Sequence, residues 1–170
     1  MIRPFAVAVL ALAVVPPAPA RAPTEFNSTR YAYSLLLPLG WSAQPAGGNW
    51  AGALTPGSPG IDTFKEIDSG RFLTAAGLPT GLKRAAWHAR ILRTARLNCG
   101  GRIADGSTLL RFGGANATLT AYRCADGAYF TVVTAVHARR GYAFGWLSHG
   151  PRAVHDRVEL EGILDSLEFG

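Results

Sequence analysis

The sequence predicts an α+β domain in which an antiparallel meander sheet is sandwiched between a central helix and a C-terminal helix. Three observations predict it. Residues 107–148 alternate with period two and are broken only by short turns. Residues 81–98 repeat with a helical period, arginines on one arc and apolar residues on the other. A second helical stretch runs from Arg152 to about Ser166 behind Pro151 and stacks Leu160, Ile163, Leu164 and Leu167 on one stripe.

Residues 1–22 read as a cleavable secretory signal. Arg3 gives a positive start, Phe5 to Val15 is an apolar run, and Pro16-Pro17 lead into Ala18-Pro19-Ala20 and Ala20-Arg21-Ala22. The run is too short for a bilayer, which takes about 20 residues. No cysteine follows it to carry a lipid anchor, and no twin arginine precedes it. A single exported, soluble bacterial domain is therefore expected over 23–170, periplasmic or secreted. With 48% hydrophobic and 16% charged residues, the chain has the composition of a packed globular protein. Loss of Arg3 and Arg21 with the signal leaves a balance of about +4, too small to imply nucleic acid.

Beyond a polar lead-in at 23–29, Arg30 to Leu37 reads as a strand stopped by Pro38, and Leu39-Gly40-Trp41 as a turn that drops an indole on the core. Residues 44–60, rich in Pro, Gly, Ala and Ser around Trp50, read as a long loop, of the kind that is often mobile or functional. Thr63 to Ile67 and Arg71 to Leu78 read as strands joined by an Asp68-Ser69-Gly70 turn. Thr80 is placed to cap the helix from Gly81 to Asn98. On that helix Ala85, Trp87, Ile91, Leu92 and Ala95 form the apolar arc and Lys83, Arg90, Arg93 and Arg96 the basic one, with Arg84 and His88 intruding on the apolar side.

Four strands follow, at 107–112, 116–124, 128–138 and 141–148. A hairpin about Asp126-Gly127 sets Cys124 opposite Tyr129 and Tyr122 opposite Thr131; one about Arg139-Arg140 sets His137 opposite Tyr142 and Ala135 opposite Phe144. One face is then aliphatic, with Leu110, Phe112, Leu119, Phe130 and Val132. The other is aromatic, with Tyr122, Tyr129, Tyr142, Phe144 and Trp146, and each needs a cover. In an exported chain Cys99 and Cys124 read as a disulfide, closing a loop that the entropy model values at about 3–4 kcal/mol. Two thiolates are too few for a structural zinc site. The bond would lay the central helix over the aromatic face and leave the aliphatic face to the terminal helix.

With these elements in order, the chain resembles the PsbP-like superfamily, named for an extrinsic subunit of the photosynthetic water-oxidising complex. The resemblance rests on Tyr33-Ser34-Leu35-Leu36-Leu37-Pro38-Leu39-Gly40-Trp41, on a central helix followed by a meander, and on Ile163-Leu164-Asp165-Ser166-Leu167-Glu168-Phe169. It implies an α/β/α sandwich used for binding or scaffolding more often than for catalysis. No ligand motif carries over, and no cofactor or metal is expected.

Familiar catalytic signatures are missing: there is no Gly-x-Ser-x-Gly, no phosphate loop and no His-Glu-x-x-His. His155 and Glu159 are four apart, as in an ordinary surface pair, and a triad from Ser148, His149 and Asp165 has nothing to fix its geometry. His137, Arg139, Arg140 and Tyr142 cluster at a hairpin tip. They are either a solvated tip or the rim of a pocket for an anionic or aromatic ligand. Lys83, Arg90, Arg93 and Arg96 suit an anionic surface, although a GC-rich coding bias also yields arginine on a solvated helix, and no aromatic residue is interleaved with them for nucleic acid. The expected function is a non-catalytic accessory or binding domain of the cell envelope, for another envelope protein or an anionic surface. The alternatives are adhesion through the basic helix and a small hydrolase of unfamiliar type under the 44–60 loop.

Overall fold

The computed structural model describes residues 22–99, 102–124, 127–149 and 153–170. The signal segment thus lies outside the described residues up to 21. In chain order the elements are β1 (Thr24–Ser28), β2 (Tyr33–Leu37), β3 (Trp41–Gln44), β4 (Asp62–Glu66), β5 (Phe72–Pro79), α1 (Arg84–Cys99), β6 (Arg102–Phe112), β7 (Ala115–Arg123), β8 (Tyr129–His137), β9 (Arg140–Ser148), α2 (Ala153–Asp165) and β10 (Glu168–Phe169). Seven strands make one antiparallel sheet in the order β3-β4-β5-β9-β8-β7-β6, and β1-β2-β10 make a smaller one. This is an α+β sandwich, as expected. No helix among the described residues is long and apolar enough to cross a membrane.

The meander and the hairpin at 68–70 form where the period-two text puts them, but both later hairpins turn differently. Between β8 and β9 the turn residues are Ala138 and Arg139, with φ of 45° and 62°, so His137 faces Arg140 and Ala135 faces Tyr142. That two-residue shift keeps every side chain on its face. Between β7 and β8, Cys124 N–H donates to Ala128 O (2.8 Å), and Gly127 adopts φ 83°. The odd-length connection sets Tyr122 opposite Phe130 and Arg123 opposite Tyr129. A slip of one exchanges the faces of a strand. Tyr122 therefore sits with Phe130, Leu147 and Phe72, not with Tyr142.

The covers are exchanged too. α1 lies on the face made of Thr120, Val132, Thr134, Gly141 and Ala143, where Trp87 is fully buried and its Nε1 donates to Tyr142 O (2.8 Å). A Cβ on Gly141 would sit 2.4 Å from the Trp87 ring, so this seat exists only because that residue is glycine. The aromatic face, with Tyr142, Phe144 and Trp146, packs instead against the small sheet, Trp41 and α2. There Leu160, Ile163, Leu164 and Leu167 are buried as the stripe predicts. Arg71 clamps α2 by bonding Glu66 (2.5 Å), Asp156 (3.0 Å) and Glu159, and Trp41 Nε1 donates to Glu159 (3.2 Å).

The polar lead-in is in fact β1, and the chain ends as β10 on β2. The small sheet is tied down by Asp62 of β4, which is 1% exposed. Ser28 Oγ and Tyr33 OH donate to its Oδ2 (2.5 and 2.7 Å), and Ala46 N–H donates to Oδ1 (2.7 Å). Burial, then the Asp62 charge, hold the Tyr33 phenol well above its usual range, so it stays a donor. Tyr33→Phe is expected to lower the unfolding free energy by about 1.5–3 kcal/mol. The control Ser42→Ala, on the exposed edge of β3, should change it by no more than about 0.5 kcal/mol. Equal urea midpoints for the two variants would contradict this role for Asp62.

Candidate functional site

α1 begins at Arg84, not at Gly81, because Thr80 Oγ1 accepts from Leu82 N–H (3.1 Å) and closes a local turn ahead of the helix. The first helical bond runs from Trp87 N–H to Lys83 O (2.9 Å). Trp87, His88, Ile91 and Ala95 are buried; Lys83, Ala85, Ala86, Ala89, Arg90 and Arg93 are exposed. The Arg96 side chain lies outside those described. Arg90 holds its guanidinium 5.7 Å over the Trp87 ring, which orients it on the helix surface.

His88 and Arg84, which interrupt the apolar arc in the sequence, are the polar fixings of this helix. His88 Nδ1 bonds Thr134 Oγ1 (2.8 Å) and Nε2 bonds Thr120 Oγ1 (2.9 Å), while Thr120 Oγ1 also bonds Ser107 Oγ (2.7 Å). Arg84 Nη1 donates to Ala117 O (3.3 Å). The available signal was the row of threonines, Thr118, Thr120 and Thr134, inside otherwise apolar strands. A buried polar group requires a partner, and these hydroxyls face α1.

The hairpin tip joins this face. Thr80 N–H donates to Arg139 O (2.8 Å), and Arg140 pairs with Pro79, so the exposed Arg139 stands beside the start of α1 near Lys83. His137 and Tyr142 share one face of the hairpin, opposite Arg140 and Ala135 respectively. The His137 ring stacks on Phe169 at 4.8 Å and 12°, Tyr142 packs on the same ring at 4.5 Å, and Tyr142 is 2% exposed. Phe169 thus fills the side of the tip where the pocket reading would set a ligand. Burial raises the Tyr142 phenol pKa while Arg140 opposes it.

The other candidates separate. His149 is exposed, Ser148 is buried, and no hydrogen bond among the described residues joins either to Asp165. Glu159 is committed to Arg71 and Trp41, and the His155 side chain lies outside those described. The 44–60 loop is packed down: Trp50 and Leu54 are buried, Trp50 lies edge-on to Trp87, and its Nε1 donates to Ala53 O (2.6 Å). Among the described residues no group of acidic, His or Cys side chains is arranged to hold a metal ion.

Charge is sorted by layer. Residues 80–99 carry Lys83, Arg84, Arg90, Arg93 and Arg96 and no carboxylate. The opposite layer, residues 22–37 and 153–170, carries six carboxylates against two arginines, a balance of −4 that Arg71 partly offsets. Basic residues at the start of α1 oppose the helix dipole, so local helix stability does not account for them.

Burial, then Arg84, lower the His88 pKa below the ordinary 6.5. The unfolded chain therefore binds the extra proton first, and stability present above pH 6.5 is lost as pH falls through and below that value. His88→Gln, which keeps a side-chain donor and acceptor but has no titrating ring, should flatten this part of the stability–pH curve; an unchanged curve would contradict the assignment.

No protein-family model matches the chain, and no curated protein does. Solved structures do. The solution structure of cyanobacterial PsbP (CyanoP) from Synechocystis sp. PCC 6803 is similar with a TM-score of 0.64 at 12% identity, over 94% of this chain and 99% of that one. The Saccharomyces cerevisiae Ran-binding protein Mog1p is similar with a TM-score of 0.55 at 9% identity, over 88% and 96%. A protein from Bacteroides thetaiotaomicron gives 0.51 at 12% identity, over 86% of this chain and 48% of that one. Taken with the sheet order and the two helical covers, these matches identify the fold of this chain as the α+β sandwich of the PsbP and Mog1 type.

Proposed function

We propose that this chain is an exported, non-catalytic accessory domain of the bacterial cell envelope that attaches to an anionic surface through the outer face of α1. The sorting of charge between the two outer layers carries the reading. Lys83, Arg90 and Arg93 are exposed, Arg139 stands beside them, and small residues (Ala85, Ala86, Ala89) fill the gaps between the cations. A flat charged surface can approach such a helix closely, with the exposed Leu82 at the edge of the cations. The signal layout of residues 1–22 supports export.

The same reading includes a Cys99–Cys124 disulfide. Cys99 is the last residue of α1, Arg102 lies opposite Arg123 next to Cys124, and no cysteine among the described residues is free. Thiol labelling of the exported protein is expected to find no reactive sulfur until a reductant is added. Reduction is then expected to cost about 3–4 kcal/mol of stability, from a loop of this size. Two labelled thiols in the native protein would remove the bond from the reading.

Attachment is tested on heparin-agarose with the wild type and the Lys83→Glu/Arg90→Glu/Arg93→Glu variant. The wild type should be retained at about 50 mM salt and released as the Debye length shrinks toward 1 M. Three exposed ion contacts at about 0.2–1 kcal/mol each sum to about 0.6–3 kcal/mol, a loss of affinity of roughly threefold or more in the variant. Retention that ignores salt, or a variant that binds as well as wild type, would overturn the proposal.

A further inference from the structure

A second surface lies on the other flank of the molecule. β6 is one of the two edge strands of the large sheet. From Ser107 to Phe112 it pairs regularly with β7, and a register shift between Ile103 and Ser107 ends the regular ladder on the other side. This leaves about 20 Å of straight backbone with one row of N–H and C=O groups directed away from the sheet. Ser107, Thr108 and Leu109 are exposed, Leu109 at 67%. Devices that ordinarily blunt an edge, proline and lysine, are missing from 107–112, where the only charge is Arg111. Beside this edge runs a groove of about 180 Å³ between β6 and α2, lined by Leu110, Arg111, Phe112, Glu161, Leu164 and Asp165. Its floor is apolar, since Leu164 is 1% exposed and Phe112 4%. Its α2 rim is acidic: Asp165 is exposed, and Glu161 is shared with Arg157 (2.8 Å).

We propose that this edge and groove form a docking site for an extended segment of a partner protein, added as an eighth strand. Its backbone completes the β6 ladder. Alternate side chains fall on the α2 side: an apolar one over Leu110 and Leu164, and a basic one against Asp165 and Glu161. The acidic character of this whole layer fixes the sign of the occupant. A second copy of this chain does not meet the requirement. Added antiparallel, it would turn its Leu110 and Phe112 toward the groove, and these are already packed on its own core and against Phe144 and Phe169.

The site is separate from the basic face of α1, so either can fail alone. Random peptides of about eight residues, the span of a short added strand, are displayed against the wild-type protein. The selected peptides are expected to alternate, with Lys or Arg at one end of the apolar set, and to slow amide hydrogen exchange at 107–112. The Glu161→Lys/Asp165→Lys variant, altered only at the helix surface, should bind them about tenfold more weakly or worse and select acidic peptides in their place. No enrichment, enrichment without protection of 107–112, or unchanged affinity in the variant overturns the proposal. A native dimer in sedimentation whose 107–112 amides are already protected also overturns it, by assigning the edge to a second copy.

Discussion

Everything on the aromatic side of the large sheet depends on one buried carboxylate. A small antiparallel sheet of five-residue strands has little stability of its own. Asp62 gives it an anchor, because a buried charge must be fully hydrogen-bonded and its donors come from β1, β2 and the 44–60 loop. The rings then close around that anchor. Phe26 meets Phe64 edge-on at 4.8 Å, and Tyr33 meets Phe144 at 6.0 Å. Cost and gain are therefore coupled: the carboxylate is tolerable only while all its donors are present, and the donors are positioned only while the sheet is docked.

The two faces of the large sheet solve different problems. Toward α1 the residues are small or hydroxylated, so a helix can settle close enough for Trp87 to lie on Gly141 and for His88 to reach two threonines. Such polar contacts fix the rotation and height of the helix more sharply than an apolar face would. Rotation matters, since it decides which side chains look outward. With Trp87 and His88 held inside, Arg90 and Arg93 have no choice but to face solvent.

Local periodicity made part of this legible. The meander, the hairpin at 68–70, the leucine stripe of α2 and the basic arc of α1 are all patterns within one element. What depended on a partner was hidden. β1 reads as polar because only Phe26 and Ser28 turn inward, and β3 and β10 are four and two residues long. Their extended state is imposed by the strands beside them. The β8–β9 hairpin has a separate reason: Ala138 and Arg139 occupy positive φ without the Asn or Gly that usually announces it. At the candidate site, the arginines were readable one by one. The meeting of Arg139 with the start of α1 was not, nor was the burial of His88, because both are set by backbone contacts between distant segments.

Placing cations on one outer layer and carboxylates on the other gives the molecule a lasting electrical moment across the large sheet. Near a charged wall such a body turns before it touches, because the torque acts over roughly a Debye length, about 8–10 Å at physiological ionic strength. Fewer arrivals are then wasted on the wrong side, and the gain appears in the rate of capture and not in the strength of the final hold. The groove between β6 and α2 lies away from the α1 face, so it stays open when the molecule lands on its cations.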